Sequence, residues 1–201
     1  GPSDKPLGHP RYDPIYRAAE DNGWTMVFHS ATIGYTLNRK FPFLYEDLNK
    51  YATVHTLAHP LAAMTTVSSI VLNEVPEKFP DLDFALLEMD LGVVPLLMYR
   101  MNREARQHSY DLPMLERSPE EYLRERFYWG TQPLPEPGDI ADFQRLVEMV
   151  GVENILFASD HPHADFDSIE SVMGKYFGHL SREERERVLY KNALEAFDID
   201  P

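Results

Sequence analysis

The chain has 201 residues, 43% hydrophobic and 26% charged, which is enough apolar content for a core and argues against disorder as the main state. Nineteen Lys and Arg against 33 Asp and Glu leave a formal charge of −14, which argues against a phosphate-tracking groove and hence against a nucleic-acid partner. The absence of cysteine removes disulfides, thiolate ligands and a Cys nucleophile together, so any metal must be held by His and carboxylate, and a reducing, cytoplasmic compartment fits.

No apolar run reaches the length of about 18 residues that a membrane helix needs, so no membrane partner is expected. In chain order, Asp13-Pro14 reads as an N-cap followed by proline in the first turn, with a short helix from Ile15 to Asn22 and Gly23 as its C-cap. Trp24 to Ser30 is apolar and partly β-branched, a strand ending in His29. Residues 31 to 52 are aromatic and irregular and read as a long loop over the strand ends, with Phe41-Pro42-Phe43 as core or lid packing. Helical spacing resumes at about Leu61 and runs to Leu72, with His59-Pro60 at the helix entry.

Asp83 to Glu88 is the second clear strand, ending in a carboxylate, and a helix from about Val94 to Arg106 follows. Ser118-Pro119-Glu120-Glu121 is a capping box, and Phe127 to Thr131 a weaker third strand. Asp139 caps a helix whose apolar set is Ile140, Phe143, Leu146, Val147 and Val150, and Gly151 ends it. The fourth strand starts at Ile155 and stops abruptly at Ser159-Asp160-His161-Pro162-His163. A helix from Asp167 to Tyr176 and a second capping box at Ser181 to Glu184, opening a last helix through Ala196, complete the chain.

Strand and helix thus alternate four times, which predicts an α/β fold with a parallel sheet and right-handed crossovers. Three strands end in His29, Glu88 and Asp160. In a parallel sheet these termini share one face, so residues distant in sequence converge there.

The motifs carry a resemblance. Tyr12 to Glu20, Val27-Phe28-His29, Glu77 to Leu82 before the second strand, Ser118 to Tyr122, Ser159 to His163 and Asn192-Ala193 cover nearly the whole chain. In that order the chain resembles the carboxyl-terminal half of the amidohydrolase-related family of metal-dependent (β/α)8 barrels, which includes aminocarboxymuconate-semialdehyde decarboxylase, resorcylate-type decarboxylases and C–C hydrolases. The resemblance implies that residues 1–201 form a single domain comprising about strands 5 to 8 of a TIM-type barrel. It implies a divalent metal, zinc in the first place and manganese as the alternative, with His29 and Asp160 as ligands.

Asp160 is also the implied base for a metal-activated water, and the implied activity is hydrolysis of a small carboxylated or ring-cleavage type substrate, with decarboxylation as the alternative. Glu88 stands where the decarboxylases carry a histidine. It is read as a metal ligand, a general acid or base, or an ion-pair partner of an arginine. His163 is expected to support Asp160, and His59 to act in the second shell or on substrate, whereas His161 fits a loop role. His55 is read as a loop histidine, and Trp24 and Trp129 as core or lid packing.

The family's His-x-His pair of the first strand has no counterpart, since the only such motif, His161-Pro162-His163, belongs to the last strand. The chain is therefore expected to be a fragment, a non-catalytic or degenerate half-barrel, or a half that pairs with another chain, as a homo-oligomer or with a complementary N-terminal half. Open strand edges favour such pairing.

Overall fold

The computed structural model describes residues 5–30, 50–163 and 167–200. Its centre is a four-stranded sheet of β1 (Met26–His29), β2 (Phe84–Leu87), β3 (Phe127–Gly130) and β4 (Ile155–Leu156), in the spatial order β1-β2-β3-β4. All three pairings are parallel, with His29 level with Leu87 and Gly130 level with Leu156. The expected α/β fold with a parallel sheet is present. Sequential strand order is that of a barrel arc; a doubly wound sheet reverses its order at a switch point.

The strands read as they pack. β2 is apolar throughout and its Phe84, Ala85 and Leu86 are buried, as in a parallel strand covered on both faces. β1 alternates half-buried and exposed residues, which suits its place at one edge of the sheet. Phe84 stacks on Phe127 with centroids 4.9 Å apart and on Phe28 at 6.4 Å, while Tyr16 meets it edge-on at 6.3 Å. This aromatic row ties three strands to the first helix.

That helix, α1 (Asp13–Asp21), begins at Asp13 itself with Tyr12 as its cap, one residue before the expected N-cap. A 3₁₀ turn over Pro10–Tyr12 leads straight into it, so Asp13 already has helical dihedrals. Gly23 ends the segment at φ +66°, the left-handed geometry that glycine adopts without a Cβ penalty. Trp24, which follows, is 65% exposed and so is not core packing, whereas Trp129 is buried.

The largest departure from expectation is α2 (Tyr51–Leu72), which starts ten residues earlier than the periodicity suggests. His59-Pro60 is inside the helix, not at its entry. A proline there costs about 3 kcal/mol. The cost is met by the buried face of Ala62, Ala63, Val67, Ile70 and Val71 and by a polar anchor at His59. The expected loop over 31–49, including Phe41-Pro42-Phe43, lies outside the described residues.

The remaining longer helices among the described residues are α3 (Val94–Gln107), α4 (Pro119–Glu125), α5 (Ile140–Val150), α6 (Arg182–Glu186) and α7 (Asn192–Ala196), and a single helical turn, Val75–Lys78, precedes β2. Both capping boxes form: Glu121 accepts from the Ser118 amide at 2.8 Å and Glu184 from the Ser181 amide at 2.8 Å. Asp139 caps α5 through Ala141, but Ile140 is 42% exposed and does not join the apolar face it was assigned to. The segment expected as a helix over 167–176 is one α-turn, Ile169–Ser171, continued by a π-helical turn over Val172–Tyr176. A second π-helical turn, Arg187–Lys191, joins α6 to α7.

Asp83, just before β2, illustrates how the sheet's other end is tied down. Its Oδ1 lies 3.3 Å from Arg126 Nη1 just before β3. Burial raises its carboxyl above the ordinary range, opposed by the Arg126 charge and helped by Asp81. A raised folded pKa means that the native state binds the proton more tightly than the unfolded chain. The stability this provides is complete below about pH 4 and is lost as pH rises through the folded value. Equilibrium denaturation of wild type and Asp83→Asn should therefore show the variant gaining on wild type as pH is raised from about 4 to about 7. A difference that is flat or runs the other way would contradict this account.

Candidate metal centre

The carboxyl ends of the strands hold the polar groups. His29 is the last residue of β1, Glu88 follows β2 directly, Thr131 follows β3, and Asp160 lies four residues beyond the end of β4. β4 is shorter than its apolar sequence suggests, because Phe157 to Asp160 leave the ladder. The Phe157 amide turns to the Val188 carbonyl at 2.9 Å, and the Ala158 amide donates to Thr131 Oγ1 at 2.9 Å while Thr131 donates back to the Ala158 carbonyl at 3.0 Å. The Thr131 side chain thereby continues the sheet in place of main chain and sets where Asp160 emerges.

Glu88 and Asp160 both have left-handed backbones, φ 54° and 60°, and Asp90 shares this at 55°. For a residue with a Cβ each such conformation costs about 1–2 kcal/mol. Two of these three strained residues carry the carboxylates that meet. Neither strand's periodicity signals that turn, which redirects each side chain across the sheet edge.

Glu88 is the hub. His29 Nε2 lies 3.0 Å from its Oε1, Ser30 Oγ 3.5 Å from its Oε2, and its carboxyl hydrogen-bonds to that of Asp160. Asp160 in turn takes His163 Nδ1 at 2.7 Å. Ligand atoms of Glu88, Asp160 and His163 lie within 4.8 Å of one another. Of the residues singled out from sequence, His29, Glu88, Asp160 and His163 are brought together, and the Glu88 carboxyl meets His29, Ser30 and Asp160. His161 is exposed, as a loop role requires.

Electrostatics divides the two carboxyls. Burial raises the Glu88 carboxyl above its ordinary range, helped by its hydrogen bond to Asp160 and opposed by His29. Burial opposes ionisation of Asp160 as well, but hydrogen bonds from Glu88 and His163 and the charges of His163 and His29 outweigh it, so Asp160 lies below its ordinary range. Of the two, Asp160 therefore gives up its proton first and Glu88 holds its own the longer. Two facing carboxylates require a proton or a cation between them. A donor set of imidazole nitrogens and carboxylate oxygens suits a divalent metal such as zinc or manganese.

The model for the family described as amidohydrolase matches residues 1–199. The chain belongs to the amidohydrolase family. No match is found among curated proteins. Among solved structures, an amidohydrolase from Mycobacterium avium subsp. paratuberculosis aligns with TM-score 0.77 and 23% identity over 96% of this chain and 47% of its own. The 5-carboxyvanillate decarboxylase of Sphingomonas paucimobilis gives 0.75 and 19% over 98% and 56%. A dihydroxybenzoic acid decarboxylase from Polaromonas sp. JS666, solved with manganese and the inhibitor 2-nitroresorcinol, gives 0.67 and 17% over 97% and 56%. At these identities the likeness establishes the fold, and the chain spans about half the length of these structures.

Within this amidohydrolase chain, sequence reasoning missed Ser30, Thr131 and Asp90. A polar residue next to a strand-end histidine could have drawn attention to Ser30, and a threonine ending an apolar strand to Thr131. Nothing in sequence signals the positive φ of Asp90, whose Oδ1 accepts from the Gly92 amide at 2.9 Å. His59 is buried, with Nδ1 2.6 Å from the Glu88 carbonyl oxygen, so it grips the strained residue by its backbone. Among the described residues no helix is long and apolar enough to cross a membrane.

Proposed function

We propose that the chain carries half of a metal-dependent active site that hydrolyses a small carboxylated substrate, in a half-barrel completed by a second copy or a complementary half. The observation that carries this reading is the Glu88–Asp160 carboxyl pair, shifted in opposite directions and held between His29 and His163 at the ends of different strands. His29 and Asp160, with Glu88 and His163 beside them, are the groups that would hold the cation, zinc or manganese. Such a cation supplies Lewis-acid charge at a substrate or water oxygen.

The side chains divide the proton work. Asp160, the more acidic of the pair, takes a proton from the attacking water. Glu88, the less acidic of the two, gives a proton to the leaving atom as the scissile bond breaks; one water is consumed, and the proton left on Asp160 returns to Glu88 along their hydrogen bond. His163 holds the Asp160 oxygen in place through Nδ1, and His59 fixes Glu88 by its carbonyl. A cytoplasmic enzyme fits the absence of cysteine.

Decarboxylation is the second reading, favoured by the decarboxylases among the structural neighbours. There the bond to the carboxylate breaks, carbon dioxide leaves, and the Glu88–Asp160 pair delivers a proton to the ring or chain carbon. Isotopes separate the two. Metal-loaded protein is incubated with a panel of small aromatic and unsaturated carboxylic acids, esters and amides, in water enriched in oxygen-18 and, separately, in deuterium oxide. Hydrolysis places one solvent oxygen in the product; decarboxylation releases carbon dioxide and places one deuteron on carbon. Products with neither label, or no turnover from the zinc- and manganese-loaded forms across the panel, would count against both. Light scattering reports the assembly, where a strict monomer that binds no apolar dye would contradict the completed barrel.

A further inference from the structure

We propose that His55 and His59 form a second metal site, separate from the Glu88–Asp160 centre, which takes a late first-row divalent cation such as zinc. The two residues are four apart on α2, so their side chains share one face of the helix. The inference does not depend on the function proposed above.

The hydrogen bonding fixes the tautomer. A carbonyl oxygen only accepts, so the 2.6 Å contact with the Glu88 carbonyl places the His59 proton on Nδ1. His59 Nε2 is then a lone-pair donor, in a ring held by burial and by the same contact. A ring nitrogen oriented through a hydrogen bond made by the other one is the usual state of a ligating histidine. His55 Nε2 lies 3.1 Å from it.

Two arrangements bring imidazole nitrogens this close. In a collinear N–H···N hydrogen bond the two ring centres would be about 5.3 Å apart, the nitrogen separation plus about 1.1 Å at each end. The observed centres are 4.4 Å apart with planes inclined by 61°, so the hydrogen bond between the two Nε2 atoms is bent, and a cation that replaces its proton can bond to both nitrogens. Two nitrogens at this spacing, each about 2.0–2.1 Å from a common zinc, subtend about 95–100°, an angle between octahedral and tetrahedral values. The pair can act as a chelate, like the i, i+4 histidines of helical zinc sites. His55 is only half-buried, so a cation can reach it.

The test is calorimetric titration of chelator-stripped protein with zinc chloride, comparing wild type, His55→Ala, His55→Gln and Asp160→Asn, each checked for unchanged helix content by circular dichroism. His55→Gln keeps a donor for His59 Nε2 while removing the imidazole. The expected stoichiometry is two zinc ions for wild type and one for each variant, with none for His55→Ala combined with Asp160→Asn. If wild type binds a single ion that both His55 variants lose and Asp160→Asn keeps, the second site stands and the Glu88–Asp160 metal centre fails. If the His55 variants bind as many ions as wild type, or wild type binds none, the proposal is overturned.

Discussion

Replacing Asp160 by asparagine is expected to lower product formation by about 10²–10⁴-fold, the range lost with a positioned acid or base. The amide keeps the shape but carries no charge and cannot take a proton from water. It also takes from Glu88 the carboxyl to which it hydrogen-bonds, and leaves His163 Nδ1 without its carboxylate acceptor at 2.7 Å. The dissociation constant of the metal at this centre should rise by more than the roughly 10–100-fold typical of losing an outer-shell partner. Steady-state rates and zinc titration on the same preparation check both. A variant with wild-type rate and wild-type zinc affinity would remove Asp160 from the site.

Loss of the Asn192 amide should damage the fold strongly at a place away from that centre. Asn192 is fully buried at the junction of the π-helical turn and α7, and its Nδ2 donates to the Val152 and Ile155 carbonyls, each at 2.8 Å. Its Oδ1 accepts from Arg187 at 3.0 Å. Every polar atom of the side chain is used to hold the last helix against β4. Asn192→Ala leaves two main-chain carbonyls without this donor, at about 1–3 kcal/mol each, so a destabilisation of about 3 kcal/mol is expected. For a chain of this length that lowers the thermal midpoint by about 6–12 °C. A shift of less than about 2 °C would mean that water replaces the amide and that the clamp is dispensable.

The two results meet in β4. Asn192 fixes the start of that strand, and Thr131 takes over the ladder where it ends, so the path to Asp160 is set by a buried amide and a hydroxyl. Softening either should reach the centre through the backbone without touching a candidate ligand.

Much of this was legible in the sequence. Runs such as Phe84 to Leu87 are apolar at every position, which marks strands covered on both faces, and the capping boxes at Ser118 and Ser181 fixed two helix starts, because both signals are local. The convergence of His29, Glu88 and Asp160 also followed from sequence, since parallel strands must end on one face. The early start of α2 was not legible. Pro60 reads as a boundary, and the contact that keeps His59 inside the helix is made to Glu88, 29 residues away.

The sequence by itself therefore determined the alternation of strands and helices, the choice of ligand chemistry in a chain without cysteine, and which residues end the strands. Those properties depend on residue type and short-range period. Only the tertiary structure decided which carboxyl is the more acidic, that Glu88 and Asp160 face each other through left-handed backbones, and that His55 and His59 meet at their Nε2 atoms while His59 holds the Glu88 carbonyl. Each of these is set by burial and by partners far along the chain, where no local pattern reaches.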